Sequence, residues 1–232
     1  MSEWKTTYHY VSVKTGKRIF ADEVVKYRLL EQMDEETFDR NLRIAGFCIL
    51  DDRFDVLLVA EEEQLLLGQK YEPAQIAGCR EETAVYRAGG KEGEKAVCQV
   101  GGKGREEADG LKTDLIERLT GEIYTDYQRF SYGDVDPVRD ISIEYRSFHS
   151  PVEALRCVSC IHMLPLEAGI VDRLKDYWWS SYQHYRGSTE WPFMNVEPIL
   201  SQFRGGREDP WMKFVRYQLR QTKDHKMRGK RA

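Results

Sequence analysis

Several side chains in this sequence can work on an anion or a metal, and their spacing narrows what that work could be. Tyr124 and Tyr127 stand three residues apart and Gln128 follows Tyr124 by four, so on a helix Tyr124 and Gln128 share one face. Arg53 and Asp55 flank Phe54, and on a strand such residues point to the same side. Asp55 could ligate magnesium, which prefers oxygen, although one carboxylate is a poor site by itself. Arg53 cannot ligate a cation, because guanidinium has no acceptor and stays protonated. Cys157 and Cys160 form a lone Cys-x-x-Cys inside an apolar helical pattern and read as buried thiols, since a metal site needs a complete ligand set. Gly89-Gly90-Lys91 and Gly101-Gly102-Lys103 lack the frame of a nucleotide-binding loop. The five histidines are isolated in sequence, and only His9 with Asp55 could be brought together by neighbouring strands.

The elements that must position these groups can be read from periodicity. Tyr8 to Val13 is β-prone, and from Asp22, a reasonable N-cap, apolar residues from Val24 to Phe38 recur at helical spacing. Leu42 to Leu50 and Phe54 to Ala60 read as two apolar strands joined by the tight turn Asp51-Asp52-Arg53. Leu111 to Tyr127 has spacings of three and four, Ile141 to Phe148 is β-prone, and Ser150-Pro151-Val152-Glu153 carries cap, first-turn proline and glutamate of a new helix. This order predicts an α+β fold: a ferredoxin-like antiparallel sheet with helices on one face, plus a small helical C-terminal annex. The expected divisions are a main domain over 1–165 with a Gly-rich insertion at about 68–110, an annex over 166–220 and a basic tail over 221–232. The insertion reads as a mobile segment without its own chemistry, or as a hairpin arm built on the repeat of Ala84-Val85-Tyr86 and Ala96-Val97-Cys98.

Composition limits the function classes. The 232 residues, 41% hydrophobic and 32% charged, suffice for one sizeable core. The apolar runs are too short to cross a bilayer and the first residues do not form a secretion signal, so a soluble cytoplasmic protein is expected, in keeping with an odd number of cysteines. A net charge of −4 argues against a simple coat for nucleic acid. Residues 216–232, however, hold seven basic residues against Asp224, so the tail is strongly basic and the body more acidic than the total. The tail could follow a nucleic-acid backbone, or be a solvated, disordered terminus.

Little in the stretch from Pro165 to Tyr182, Pro-Leu-Glu-Ala-Gly-Ile-Val-Asp-Arg-Leu-Lys-Asp-Tyr-Trp-Trp-Ser-Ser-Tyr, is explained by core packing alone. It resembles the Asn-Pro-Val-Arg-Ala-Gly-Leu-Val … Pro-Trp-Ser-Ser-Tyr segment of REP-associated tyrosine transposases, a branch of the HUH single-tyrosine superfamily that acts on single-stranded DNA. Leu164 replaces the family's Asn and Glu167 its Arg. The resemblance extends from about Tyr8 to Leu219, except for the insertion. It implies strand cleavage by attack of a tyrosine hydroxyl on phosphorus, with a metal ion held by a histidine pair. The matching place here is Arg53-Phe54-Asp55, so both histidines are absent. It also implies Tyr124 as the likelier nucleophile beside Tyr127, and Gln128 as an amide near the metal. A basic motif that contacts DNA in relatives is replaced by Ile141-Ser142-Ile143-Glu144.

Three functions follow from this reading. The first is a transposase-like protein that binds single-stranded or hairpin DNA but has lost cleavage. The second is an active enzyme with magnesium or manganese on Asp55 and Gln128 and with Tyr124 as nucleophile. The third is a protein-interaction module without nucleic-acid function. Expected DNA contacts are Arg53, Arg129, Arg146, Lys175, Arg186 and the basic tail, with an exposed tyrosine or tryptophan stacking on unpaired bases; Trp178 and Trp179 could instead be core. No membrane partner is expected, and the resemblance allows either a homodimer or a single subunit.

Overall fold

The computed structural model describes residues 6–15, 18–39, 42–61, 82–87 and 141–229. Five strands, β1 (Thr6–Thr15), β2 (Arg43–Ile49), β3 (Arg53–Glu61), β4 (Glu82–Arg87) and β5 (Ile141–Phe148), form one antiparallel sheet in the order β2-β3-β1-β5-β4. With β4 set aside, this is the strand order of the split βαβ arrangement, and the fold class is α+β as the sequence predicts. The strand β4 extends the sheet beyond β5, so residues 82–87 of the expected mobile insertion are instead part of the main sheet.

The two faces are set by strand parity. Val11, Val13, Phe54 and Val56 share one face, and Phe20, in the 3-10 turn that leads into α1 (Glu23–Asp39), meets Phe54 edge-on at 5.7 Å. In α1, Asp22 accepts from the Val24 amide at 2.8 Å, and Val25, Leu29, Leu30 and Met33 are buried. Tyr10, Asp55 and Leu57 point to the other face, which α2 (Pro151–Glu167) covers. Gly46 permits that approach: a Cβ there would lie 3.0 Å from Cγ2 of Val158. The expected helical layer is therefore present, and α2 adds a second one. With both faces covered, Phe54 to Ala60 is buried without a break.

Ser150 caps α2, accepting from the Glu153 amide at 3.4 Å, and Pro151 opens it. Pro165 lies in the last turn, and Gly169, at φ 67°, reverses the chain in the left-handed region that glycine tolerates. The annex that follows contains α3 (Tyr182–Tyr185), α4 (Glu197–Leu200) and α5 (Pro210–Gly229). The basic tail continues α5 as helix to Gly229. Among the described residues no helix is long and apolar enough to cross a membrane.

The C-terminal end of the Pro165–Tyr182 stretch, residues 177–182, has a structural explanation. The outer edge of β2 would expose unpaired amides and carbonyls. Residues 179–181 run along it: the Ile49 amide donates to the Trp179 carbonyl at 2.9 Å and the Ser181 amide to the Phe47 carbonyl at 2.9 Å. The Tyr177 hydroxyl donates to the Ile49 carbonyl at 2.6 Å, and farther on that of Tyr185 donates to the Ala45 carbonyl at 2.7 Å. Ser181 Oγ accepts from the Phe47 amide and from His162, which receives Gln218 of α5 on its other ring nitrogen at 3.1 Å. His162 thereby ties α2, the β2 edge and α5 together. Burial pushes its pKa down to about 3, so the ring is neutral.

Candidate functional site

The register β1–β3 brings three polar side chains together at the start of β3. Arg53 and Asp55 are on the same face, as alternation requires, and Tyr10 projects beside them from β1. Asp55 is completely buried, and both of its oxygens are occupied. Arg53 donates to it with two nitrogens, Nε to Oδ2 and Nη2 to Oδ1, the latter at 2.6 Å. Tyr10 donates its hydroxyl to Oδ1 at 2.5 Å and accepts from Arg53 Nη2 at 3.2 Å. The result is a closed triangle of bidentate geometry, the strongest arrangement available to a guanidinium and a carboxylate.

The electrostatics agree with this closure. Burial acts to lower the pKa of Arg53, but the hydrogen bond and charge of Asp55 outweigh it, so the guanidinium is held above its usual range. Burial first, then the adjacent Asp55 charge, raises the pKa of the Tyr10 hydroxyl. Tyr10 therefore remains a donor to the carboxylate across the ordinary pH range.

The triangle forms the floor of a cleft of about 520 Å³ between the sheet and α2. Arg146 and Glu144 of β5 pair with each other on the sheet side; Glu153, Arg156, Cys157 and Cys160 line it from α2. Arg156 is exposed and has no ion-pair partner among the described residues. Cys157 is partly buried and Cys160 exposed, which corrects the reading of both as buried thiols. Burial raises the Cys157 pKa, so its thiol stays protonated at neutral pH. Among the described residues no group of three or more His, Cys, Asp or Glu side chains could hold a metal ion. A magnesium or manganese ion at Asp55 would have to displace a guanidinium bound to both oxygens. The described residues do not fit such an ion.

The remaining expectations separate. His9 is one residue out of phase with Tyr10 and faces the opposite side from Asp55, where its Nδ1 lies 2.6 Å from the Tyr145 hydroxyl; the proposed meeting of His9 with Asp55 does not occur. Tyr124, Tyr127, Gln128 and Arg129 lie outside the described residues. Arg53 and Arg146 share the cleft, Lys175 is exposed on the annex, and Arg186 belongs to a different groove there. Trp179 is buried while Trp178 is 45% exposed. Sequence reasoning missed Tyr10, Glu153 and Arg156. Tyr10 carried a usable signal, an aromatic hydroxyl on a strand predicted to neighbour Asp55, whereas the α2 residues are placed only by tertiary packing.

No family model matches this sequence and no curated protein matches it. Among solved structures, that of a REP-associated tyrosine transposase bound to a REP hairpin is similar to this chain, with 10% identity and a TM-score of 0.43 over 84% of this chain and 98% of that one.

Proposed function

We propose that this protein binds single-stranded or hairpin DNA in the manner of a transposase that no longer cuts its substrate. The observation that carries the reading is the Arg53–Asp55–Tyr10 triangle, which stands where the sequence resemblance expects a metal-binding histidine pair. A tyrosine attacking phosphorus needs charge neutralisation on the phosphate oxygens, usually from a cation. Here the local positive charge is already bound to a buried carboxylate, and the pair as a whole is neutral.

DNA as the ligand is supported by the sequence resemblance and by Arg156, which lines the cleft exposed and without an ion-pair partner among the described residues. Phosphate contacts of this kind give affinity that falls with salt. The test is fluorescence anisotropy of a labelled DNA hairpin over a range of salt concentrations, for the wild type and for Arg156→Ala. The reading expects measurable binding and a shallower salt slope in the variant. Absence of hairpin binding at low salt would refute it.

A further inference from the structure

The annex holds a second groove, of about 560 Å³, between the loop after α3 and the start of α5. Its walls are aromatic: His184, Trp191 and Trp211 line it. Trp211 lies 5.8 Å from the His184 ring, and Trp178, exposed at the surface, stands 6.4 Å from Trp191. The His184 ring is itself neutral in character, since burial lowers its pKa and its Nδ1 accepts from the Trp191 amide at 3.1 Å. Two polar atoms of lining residues, Thr189 Oγ1 and Trp191 Nε1, are buried without a hydrogen-bond partner among the described residues. Such orphaned donors are uncommon and costly.

Charge distinguishes the kinds of guest. Arg186 lines the groove and has no carboxylate partner among the described residues; Glu190 is the acidic residue that lines it. On α5, Met212 is 58% exposed at the groove, and Arg220 and Lys223 follow it at spacings that keep them on the same side of the helix. Both are exposed and without ion-pair partners among the described residues. Partly exposed aromatic walls near exposed cations match an extended polyanion with planar rings. Aromatic side chains give stacking surfaces for bases, and cations follow the backbone.

We infer that this annex groove binds unpaired nucleotides of a single strand, with bases on the Trp191 and Trp211 rings and phosphates toward Arg186 and the α5 cations. The inference deepens the proposed DNA binding and rests on it. It assigns the unpaired segment to a surface separate from the Arg53 cleft.

The test uses the full chain, a short labelled oligothymidylate and a fully paired hairpin without single-stranded tails. Arg186→Glu and Met212→Glu change exposed positions, and thermal melts confirm that both variants remain folded. The wild type should bind the oligothymidylate with quenching of tryptophan fluorescence. Each variant should weaken that binding by about tenfold or more and reduce the quenching, while the paired-hairpin affinity of Met212→Glu stays within about twofold. Wild-type binding to the hairpin with none to oligothymidylate overturns the groove and leaves the proposed function standing. Oligothymidylate binding unchanged in both variants also overturns the groove, and failure of the wild type to bind either probe overturns both.

Discussion

Removing the Arg53 side chain leaves Asp55 as a carboxylate with no solvent contact and with only Tyr10 as a partner. Such an uncompensated buried charge typically costs about 3–5 kcal/mol when its partner is deleted. The reverse deletion is cheaper, because the Arg53 side chain is 22% exposed and can turn toward the cleft. Asp55→Ala should cost about 1.5–3 kcal/mol, the range for hydrogen bonds to a charged group. The double variant has no buried charge to strand, so it should be no less stable than Asp55→Ala by more than about 1 kcal/mol. Urea denaturation of the four proteins at pH 7 gives the cycle. The two single losses should be non-additive by at least about 2 kcal/mol. Additive losses, or an Arg53→Ala cost below about 1 kcal/mol, would show that the pair is not closed and that Asp55 is available to another ligand.

Other consequences concern the core. His162 has a folded-state pKa near 3 against about 6.5 when unfolded, so between these values the unfolded state binds more protons. Stability should therefore fall as pH drops below about 6.5, by up to ~1.4 kcal/mol per pH unit and about 3 kcal/mol by pH 4; His162→Gln should flatten this acid arm in denaturation curves taken from pH 7 to 4. Gly46→Ala places a methyl against both Val158 methyl groups, at 3.0 and 3.3 Å, and should cost about 1–3 kcal/mol. Combining it with Val158→Ala should cost less than the two changes summed, and strict additivity in chemical denaturation would argue against that contact. Replacement of Gly169, at φ 67° with open space around its Cβ position, by Ala should cost about 1–2 kcal/mol through backbone strain alone, read from the same denaturation midpoint.

Local signals carried much of the architecture. The hairpin between β2 and β3, the Ser150 cap and the shared face of Arg53 and Asp55 all follow from periodicity and turn chemistry over a few residues. Features fixed by distant packing were not legible. Tyr10 reaches Asp55 only because β1 pairs with β3 in one register, and a shift of one residue would have presented His9 in its place. The Trp-Trp-Ser-Ser-Tyr run reads in the sequence as part of a family signature that core packing alone does not explain. Ser181 is in fact buried to satisfy the β2 edge and His162. That β4 joins the sheet beyond β5 was hidden by the glycines and charges around it. The cleft wall contributed by α2 could not be assigned, since its Cys-x-x-Cys spacing says nothing about which sheet face the helix covers.

The central claim is that the protein holds DNA without cutting it. A labelled hairpin incubated with the protein in EDTA, magnesium or manganese, analysed both by anisotropy and on a denaturing gel beside Tyr124→Phe, tests this directly. The account predicts the same affinity in all three conditions and no covalent adduct. A metal-dependent adduct that disappears in Tyr124→Phe would contradict it and establish that the site recruits a cation despite the Arg53–Asp55 pair.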